Sequence, residues 1–284
     1  MNNKPLFSII IPTYNREKII GRTLDCILHQ TFTDWECIVV DDFSTDNTKD
    51  LIYSYVQKDC RFHYMLNERK KGAQGARNTG LYHSSADWIW LMDSDDTVLP
   101  DFLEKMYGAI ADNVDVVTCY NNIIDKDSLS VKRICKWDLN GNIHKQLLAW
   151  KCYVYFPSSI VRKSKLYEIG GLDEDCPAHQ EYDTHIMLSK IANYKTVCEV
   201  LFDYYVGGKD TISVNYERSM AGWMYLLSKH KKKWLDNRSA GYKMYSKAWG
   251  SVTWSYTNRW KKLCAYMKLF VISPRLYFLY RNKV

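Results

Sequence analysis

Between residues 7 and 125 the chain repeats one pattern: a short, nearly unbroken apolar run, a polar turn, then apolar residues at helical spacing. The first run, residues 7–11, is β-branched and stops at Pro12, and residues 16–30 then place Ile19, Ile20, Thr23, Leu24, Ile27 and Leu28 on one helix face. "WECIVVDD" is a second strand ending in Asp41 and Asp42, with a helix expected at residues 50–56. "RFHYMLN" is a third strand, and residues 75–84 form a helix carrying Arg77 and Asn78. "DWIWLMDSDD" is a fourth strand running into an acidic turn. Pro100 then starts a helix at residues 101–110, and "VDVVTCY" is a fifth strand. Strands without polar alternation are buried on both faces. Their alternation with helices therefore predicts an α/β fold, a three-layer sandwich around a mostly parallel central sheet.

Beyond this first α/β part, residues 1–125, the pattern loosens. Residues 126–213 suggest a strand or two in "YVYFPSSIV", a short helix at 163–169, a turn at Gly170 and Gly171, and an amphipathic helix in "EYDTHIMLSKIANY". Residues 214–284 read as two or three helices, the last broken by Pro274. Charge divides the same way. The formal net charge of +7 conceals 24 Lys/Arg against 30 Asp/Glu in residues 1–213, and 15 against 2 in residues 214–284. The 9 cysteines include no C-x-x-C pair, which excludes a zinc ribbon and fits inert thiols in a reducing, cytoplasmic setting. The apolar run before Pro12 is too short for a signal peptide, and no stretch of 18 uncharged apolar residues predicts a membrane span.

In an open parallel sheet, ligands bind at the carboxyl ends of the strands, where loops and helix N-termini converge. Asp41 and Asp42 end the second strand there, and Asp93, Asp95 and Asp96 end the fourth. Three carboxylates within four residues repel one another unless a cation or a donor network compensates them. Hard oxygen ligands suit Mg2+ or Mn2+, with positions left for a diphosphate, although a solvated acidic turn is the bland alternative. An EF-hand loop, a P-loop and a dinucleotide glycine fingerprint are all missing. The first loop, "PTYNRE", instead offers a hydroxyl, an aromatic face and an amide.

Together, "FSIIIPTYNRE", "TLDCILHQTFTDWECIVVDDFSTDNT", "GAQGARNTGL" and "WIWLMDSDD" resemble the family 2 inverting glycosyltransferases of the GT-A fold, in the type that builds bacterial polysaccharides and other cell-surface glycans. The resemblance runs almost continuously over residues 6–100. It implies a nucleotide-sugar donor, most simply a UDP-sugar, with Pro12, Thr13, Tyr14 and Asp42 at the base, Asp41 beside them and Arg77 lining the nucleotide pocket. It also implies that Asp93 and Ser94 lie by the sugar and ribose, while Asp95, with Asp93, reaches Mn2+ or Mg2+.

Inverting transfer needs a proton acceptor opposite the leaving diphosphate. "GGLDEDCPAHQEYDTHIML" resembles the family's acceptor-side stretch, which puts Glu181 where an aspartate is usual and leaves Asp183 as the second candidate. In "YYVGGKDTIS", Val206 and Gly208 replace an expected arginine and histidine, so Lys209 is the candidate for charge at the diphosphate. Residues 223–284 interleave Trp and Tyr with Lys and Arg, the composition of a surface that meets an anionic membrane, at the inner face of the cell membrane if the acceptor is a lipid-linked glycan. Nucleic acid is not an expected partner, because it leaves the acidic first 213 residues unexplained. A catalytically silent nucleotide-sugar-binding protein is the alternative from another class, and a nucleotidyltransferase lacks its glycine- and basic-rich first loop.

Overall fold

The computed structural model describes residues 4–207, 216–255 and 259–281, and Lys209 lies outside the described residues. The chain forms two compact units. One comprises Met1–Ile143, Val154–Glu174 and Met187–Gly208, and the other His144–Tyr153, Asp175–Ile186 and Lys209–Val284.

The first unit is built on a nine-stranded sheet. Its strands are β1 (Phe7–Thr13), β2 (Trp35–Asp41), β3 (Phe62–Leu66), β4 (Trp88–Leu91), β5 (Thr97–Val98), β6 (Val116–Asp125), β7 (Val131–Cys135), β8 (Ser159–Arg162) and β9 (Tyr194–Val206). They run in the order β3-β2-β1-β4-β8-β6-β9-β5, with β7 beside β6. From β3 to β4 every pairing is parallel, as the alternating pattern predicts. β8 runs antiparallel to both β4 and β6, so the full sheet is mixed. The fifth strand is longer than "VDVVTCY" suggests because β6 continues to Asp125 in parallel pairing with β9.

The helices between the first strands are α1 (Ile20–Leu28), α2 (Thr48–Lys58), α3 (Ala73–His83) and α4 (Phe102–Gly108). α1 starts at Ile20, four residues after the start of the expected segment 16–30. The backbone N–H groups of Arg16 and Glu17 donate to Thr48 Oγ1 and Asp46 Oδ2 instead, so residues 44–48 satisfy this loop from outside. Glycines let α3 approach closely. A Cβ on Gly80 would come 2.4 Å from Ile10 Cγ2 in β1, and one on Gly75 would come 1.9 Å from the Lys70 carbonyl oxygen. Beneath α4, Trp90 stacks on Phe102 at 4.3 Å between ring centroids and donates its indole N–H to the Pro157 carbonyl.

Two short helices, α5 (His144–Leu148) and α6 (Lys163–Glu168), precede α7 (Gln180–Leu188), whose first seven residues belong to the second unit. Among the described residues the tail forms α8 (Tyr216–Lys229), α9 (Lys231–Asp236), α10 (Arg238–Ser255), α11 (Arg259–Ile272) and α12 (Pro274–Arg281), where two or three helices were expected. Interruptions at His230 and Asn237 divide the apparent first helix. Pro274 opens α12 at a position where its missing N–H leaves no intrahelical bond unmade. Trp223 and Trp234 are buried, so part of the tail's aromatic content is core.

Candidate active site

Parallel register brings the acids of the first unit together. Thr13 pairs with Asp41, the Asp42 N–H donates to the Thr13 carbonyl, and the Met92 N–H donates to Ile10. The ends of β1, β2 and β4 therefore share one edge, the edge expected from the sheet's polarity.

Each acid on that edge has a distinct set of partners. Asp41 accepts the Ser44 N–H at 2.9 Å and the Tyr64 hydroxyl at 3.0 Å. Asp42 accepts Asn67 Nδ2 at 2.6 Å and the Gly72 N–H at 2.8 Å, which pins the loop leading into α3. Gly72 has φ 127°, a conformation that favours glycine. Tyr14 stands 44% exposed at the end of β1, with the Lys71 ammonium 5.0 Å from its ring centroid.

The turn after β4 is compensated by cations from other elements. Arg77, on α3, donates to Asp93 Oδ1 at 2.5 Å and to Gln74 Oε1 at 2.7 Å, with its guanidinium 4.9 Å from the Phe156 ring. Lys126, directly after β6, donates to Asp95 Oδ2 at 2.9 Å. Arg22, on α1, donates to the Asp95 carbonyl at 2.7 Å while lying over the Tyr205 ring. Asp96 is buried. Its Oδ1 accepts the Tyr205 N–H at 3.1 Å, and its carbonyl accepts Thr23 Oγ1 at 2.9 Å. Burial pushes the carboxyls of Asp93 and Asp96 upward, neighbouring acids add to both shifts, and Arg77 opposes the shift at Asp93. Ser94 is buried between the first two acids.

Several buried polar atoms near these strand ends have no protein partner among the described residues: Thr13 Oγ1, Gln74 Nε2, Arg77 Nε and Asp96 Oδ2. Unmet donors and acceptors of this kind suit a polar ligand. Among the described residues, no group of three or more His, Cys, Asp or Glu side chains is arranged to hold a metal ion. Asp93 and Asp95 nevertheless offer hard oxygen donors, each about a quarter exposed. Together they would offer a divalent cation two hard oxygen ligands, and a bound diphosphate or water would have to supply the rest.

Asp93, Asp95 and Arg77, singled out from the sequence, lie together on this edge, and Lys126, Arg22, Gln74 and Asn67, which the sequence reading did not single out, lie with them. Lys126, Arg22 and Asn67 belong to no spaced motif, and Gln74 lies within "GAQGARNTGL" without a role assigned to it there. Lys126 in "IIDKDS" has the look of a solvated turn residue until β6 and β9 pair.

The second unit holds the other acids. Glu181, in the first turn of α7, accepts the Tyr153 hydroxyl at 2.7 Å. Asp183 is buried, with Lys229 Nζ on Oδ2 and His230 Nε2 on Oδ1, both at 2.7 Å. Lys233 Nζ contacts the other ring nitrogen of His230. Tyr182 is buried against Trp150 and Trp223, and His179 stacks on Trp223 at 3.7 Å. Burial pushes His179 down to about 4 and His185 down to about 3, which keeps both rings neutral near pH 7.

The chain resembles several known proteins. UDP-Glc:alpha-D-GlcNAc-diphosphoundecaprenol beta-1,3-glucosyltransferase WfgD of Escherichia coli is 36% identical over 139 residues, which is 48% of this chain and 54% of that protein. The chain thus spans only about half the length of that relative. Two solved structures share the fold. S. aureus TarS in complex with UDP-GlcNAc gives TM-score 0.63 at 17% identity, covering 98% of this chain and 92% of that one. The Pyrobaculum calidifontis mannosyltransferase in complex with GDP-Man and Mn2+ gives TM-score 0.61 at 18% identity, covering 96% and 76%. Residues 8–170, more than half of the chain, match the profile of glycosyl transferase family 2, and the chain belongs to that family.

Proposed function

We propose that the protein transfers a sugar, with inversion, from a UDP-sugar to a hydroxyl of a lipid-linked glycan during cell-surface polysaccharide synthesis. The observation that carries this reading is the compensated acidic turn at Asp93–Asp96, set beside Asp41, Asp42 and Tyr14 on the carboxyl edge of the parallel strands β1, β2 and β4. The naming of WfgD as a UDP-Glc-dependent enzyme acting on a diphosphoundecaprenol acceptor supports the substrate class.

In this proposal Tyr14 stacks on the base, while Asp42 and Thr13 read its polar edge. Arg77 holds Asp93 toward the ribose and sugar. Asp95, with Asp93, holds Mn2+ or Mg2+, which when bound neutralises charge on the departing diphosphate. Lys209 adds charge at the same group. Glu181 accepts the proton of the acceptor hydroxyl as its oxygen bonds to the anomeric carbon and the bond from that carbon to the diphosphate oxygen breaks. Asp183 supports the packing of α7 rather than taking part in the transfer, since both its oxygens are engaged by Lys229 and His230.

The test is turnover of UDP-, GDP- and dTDP-sugars with Mn2+ or Mg2+ and a polyprenyl-diphosphate glycan acceptor. Inverted glycoside together with UDP is the expected product. Tight UDP-sugar binding without turnover under any metal would replace this reading with a catalytically silent binding protein.

We further propose that the tail meets an anionic membrane surface at the cytoplasmic face. Trp260, Leu263, Met267 and Val271 are all more than half exposed and recur along one side of α11, beside exposed Arg259, Lys261 and Lys268. No helix among the described residues is long and apolar enough to cross a membrane. Sedimentation with phosphatidylglycerol vesicles at low salt, lost on W260S/M267S, is the expected result; wild-type protein left in the supernatant would end the proposal.

A further inference from the structure

The two cations that meet the D-x-D acids are held differently. Arg77 is anchored at three points, by Asp93, by Gln74 and by the face of Phe156, and its side chain is 7% exposed. Lys126 is 26% exposed, and among the described residues its ammonium donates only to Asp95. Its backbone is fixed, because its N–H donates to the Val206 carbonyl at the end of β9. A fixed backbone carrying a four-carbon stem lets the ammonium move a few ångströms without disturbing the fold. Arg77 has no such freedom.

We propose that Lys126 is the resident counter-cation of Asp95, which a divalent metal must displace, so that metal is taken up together with a diphosphate rather than ahead of it. The inference rests on the reading of this edge as a metal and nucleotide-diphosphate site. Alone, a metal ion meets two partly exposed carboxylates, one paired with Lys126 and the other with Arg77. It gains little by breaking a charge-assisted hydrogen bond for a single ligand. A diphosphate changes both sides of that exchange. It brings further hard oxygens to the metal and also a new anionic acceptor for the released ammonium. Metal and nucleotide then bind with positive coupling, and by linkage each strengthens the other equally.

The direct readout is Mn2+ binding by calorimetry or Mn2+ electron paramagnetic resonance, with no sugar transfer involved, on wild type, K126Q, K126R and D95N, each with and without saturating UDP. Without UDP, K126Q is expected to bind Mn2+ about three- to tenfold more tightly than wild type, because a competing cation has been removed. K126R should retain the wild-type affinity, and D95N should lose binding. With UDP, the advantage of K126Q should shrink or reverse. Circular dichroism and thermal melting establish that the variants are folded. Equal Mn2+ affinities for folded K126Q and wild type without UDP would overturn the role of Lys126 alone, as would K126R behaving like K126Q. Absence of Mn2+ binding to wild type and K126Q even with UDP would overturn this inference and the metal-dependent function together.

Discussion

The acidic turn after β4 and the acidic first turn of α7 solve the same electrostatic problem in different ways. At Asp93–Asp96 the compensating charges come from separate elements, Arg77 on α3 and Lys126 after β6, and both partnered acids stay about a quarter exposed. On α7 the compensation is buried. Asp183 is closed in by Lys229 and His230, whereas Glu181, two residues earlier, is half-buried and accepts from the Tyr153 hydroxyl. Acids that remain partly open can exchange partners with a ligand, whereas acids sealed among their cations hold helices together. The contrast separates Asp95 and Glu181, proposed for chemistry, from Asp183, proposed for support.

The strongest way to break this contrast is Glu181→Gln. Loss of a general base predicts a fall in kcat of about 10²- to 10⁴-fold with donor affinity and melting temperature unchanged, measured by UDP release and by nucleotide titration. Near wild-type turnover would remove Glu181 from the reaction. Asp95→Asn should lower turnover by about 10²- to 10³-fold and weaken Mn2+-dependent UDP binding, again with little change in melting temperature. A drop in stability as large as that of a core mutant would place Asp95 with the structural acids instead.

Asp183→Ala sharpens the other side. It removes the buried carboxylate that both Lys229 and His230 contact and should cost about 3–5 kcal/mol of stability in denaturant melts, with activity falling only as the folded fraction falls. Full stability with lost turnover would reverse the assignment. The smallest expected effect is in pH. His179 and His185 are held neutral in the fold, with values near 4 and 3, below the ordinary value of 6.5. The unfolded chain therefore binds more protons between those limits. The stability contributed by the two rings is complete above about pH 6.5 and declines as pH falls toward 4. H185Q should flatten that decline in melting temperature against pH, and an unchanged slope would show that other groups cause it.

Much of the first unit was legible in the sequence because its signals are local. Ile9, Ile11, Val39, Val40 and Trp90 sit in short apolar runs that only a sheet covered on both faces can bury, and a parallel sheet puts whatever follows such a run on the binding edge. Asp41, Asp42, Asp93 and Asp95 were therefore placed by order alone. β9 was not anticipated, since "YKTVCEVLFDYYV" mixes polar and apolar residues and pairs with strands distant in the chain. Among the described residues of the tail the helices outnumber the two or three expected, because the breaks at His230 and Asn237 carry neither Gly nor Pro. Buried Trp223 and Trp234 carry the same residue code as exposed Trp260.

The sequence by itself determined which strands end in acids and that they share an edge, because strand order and periodicity are properties of neighbouring residues. Only the tertiary structure decided which charge faces which acid: Arg77 on Asp93, Lys126 on Asp95, Lys229 and His230 on Asp183. These partners lie between 16 and 47 residues apart, and a charge pair depends on distance in space, to which spacing along the chain carries no guide.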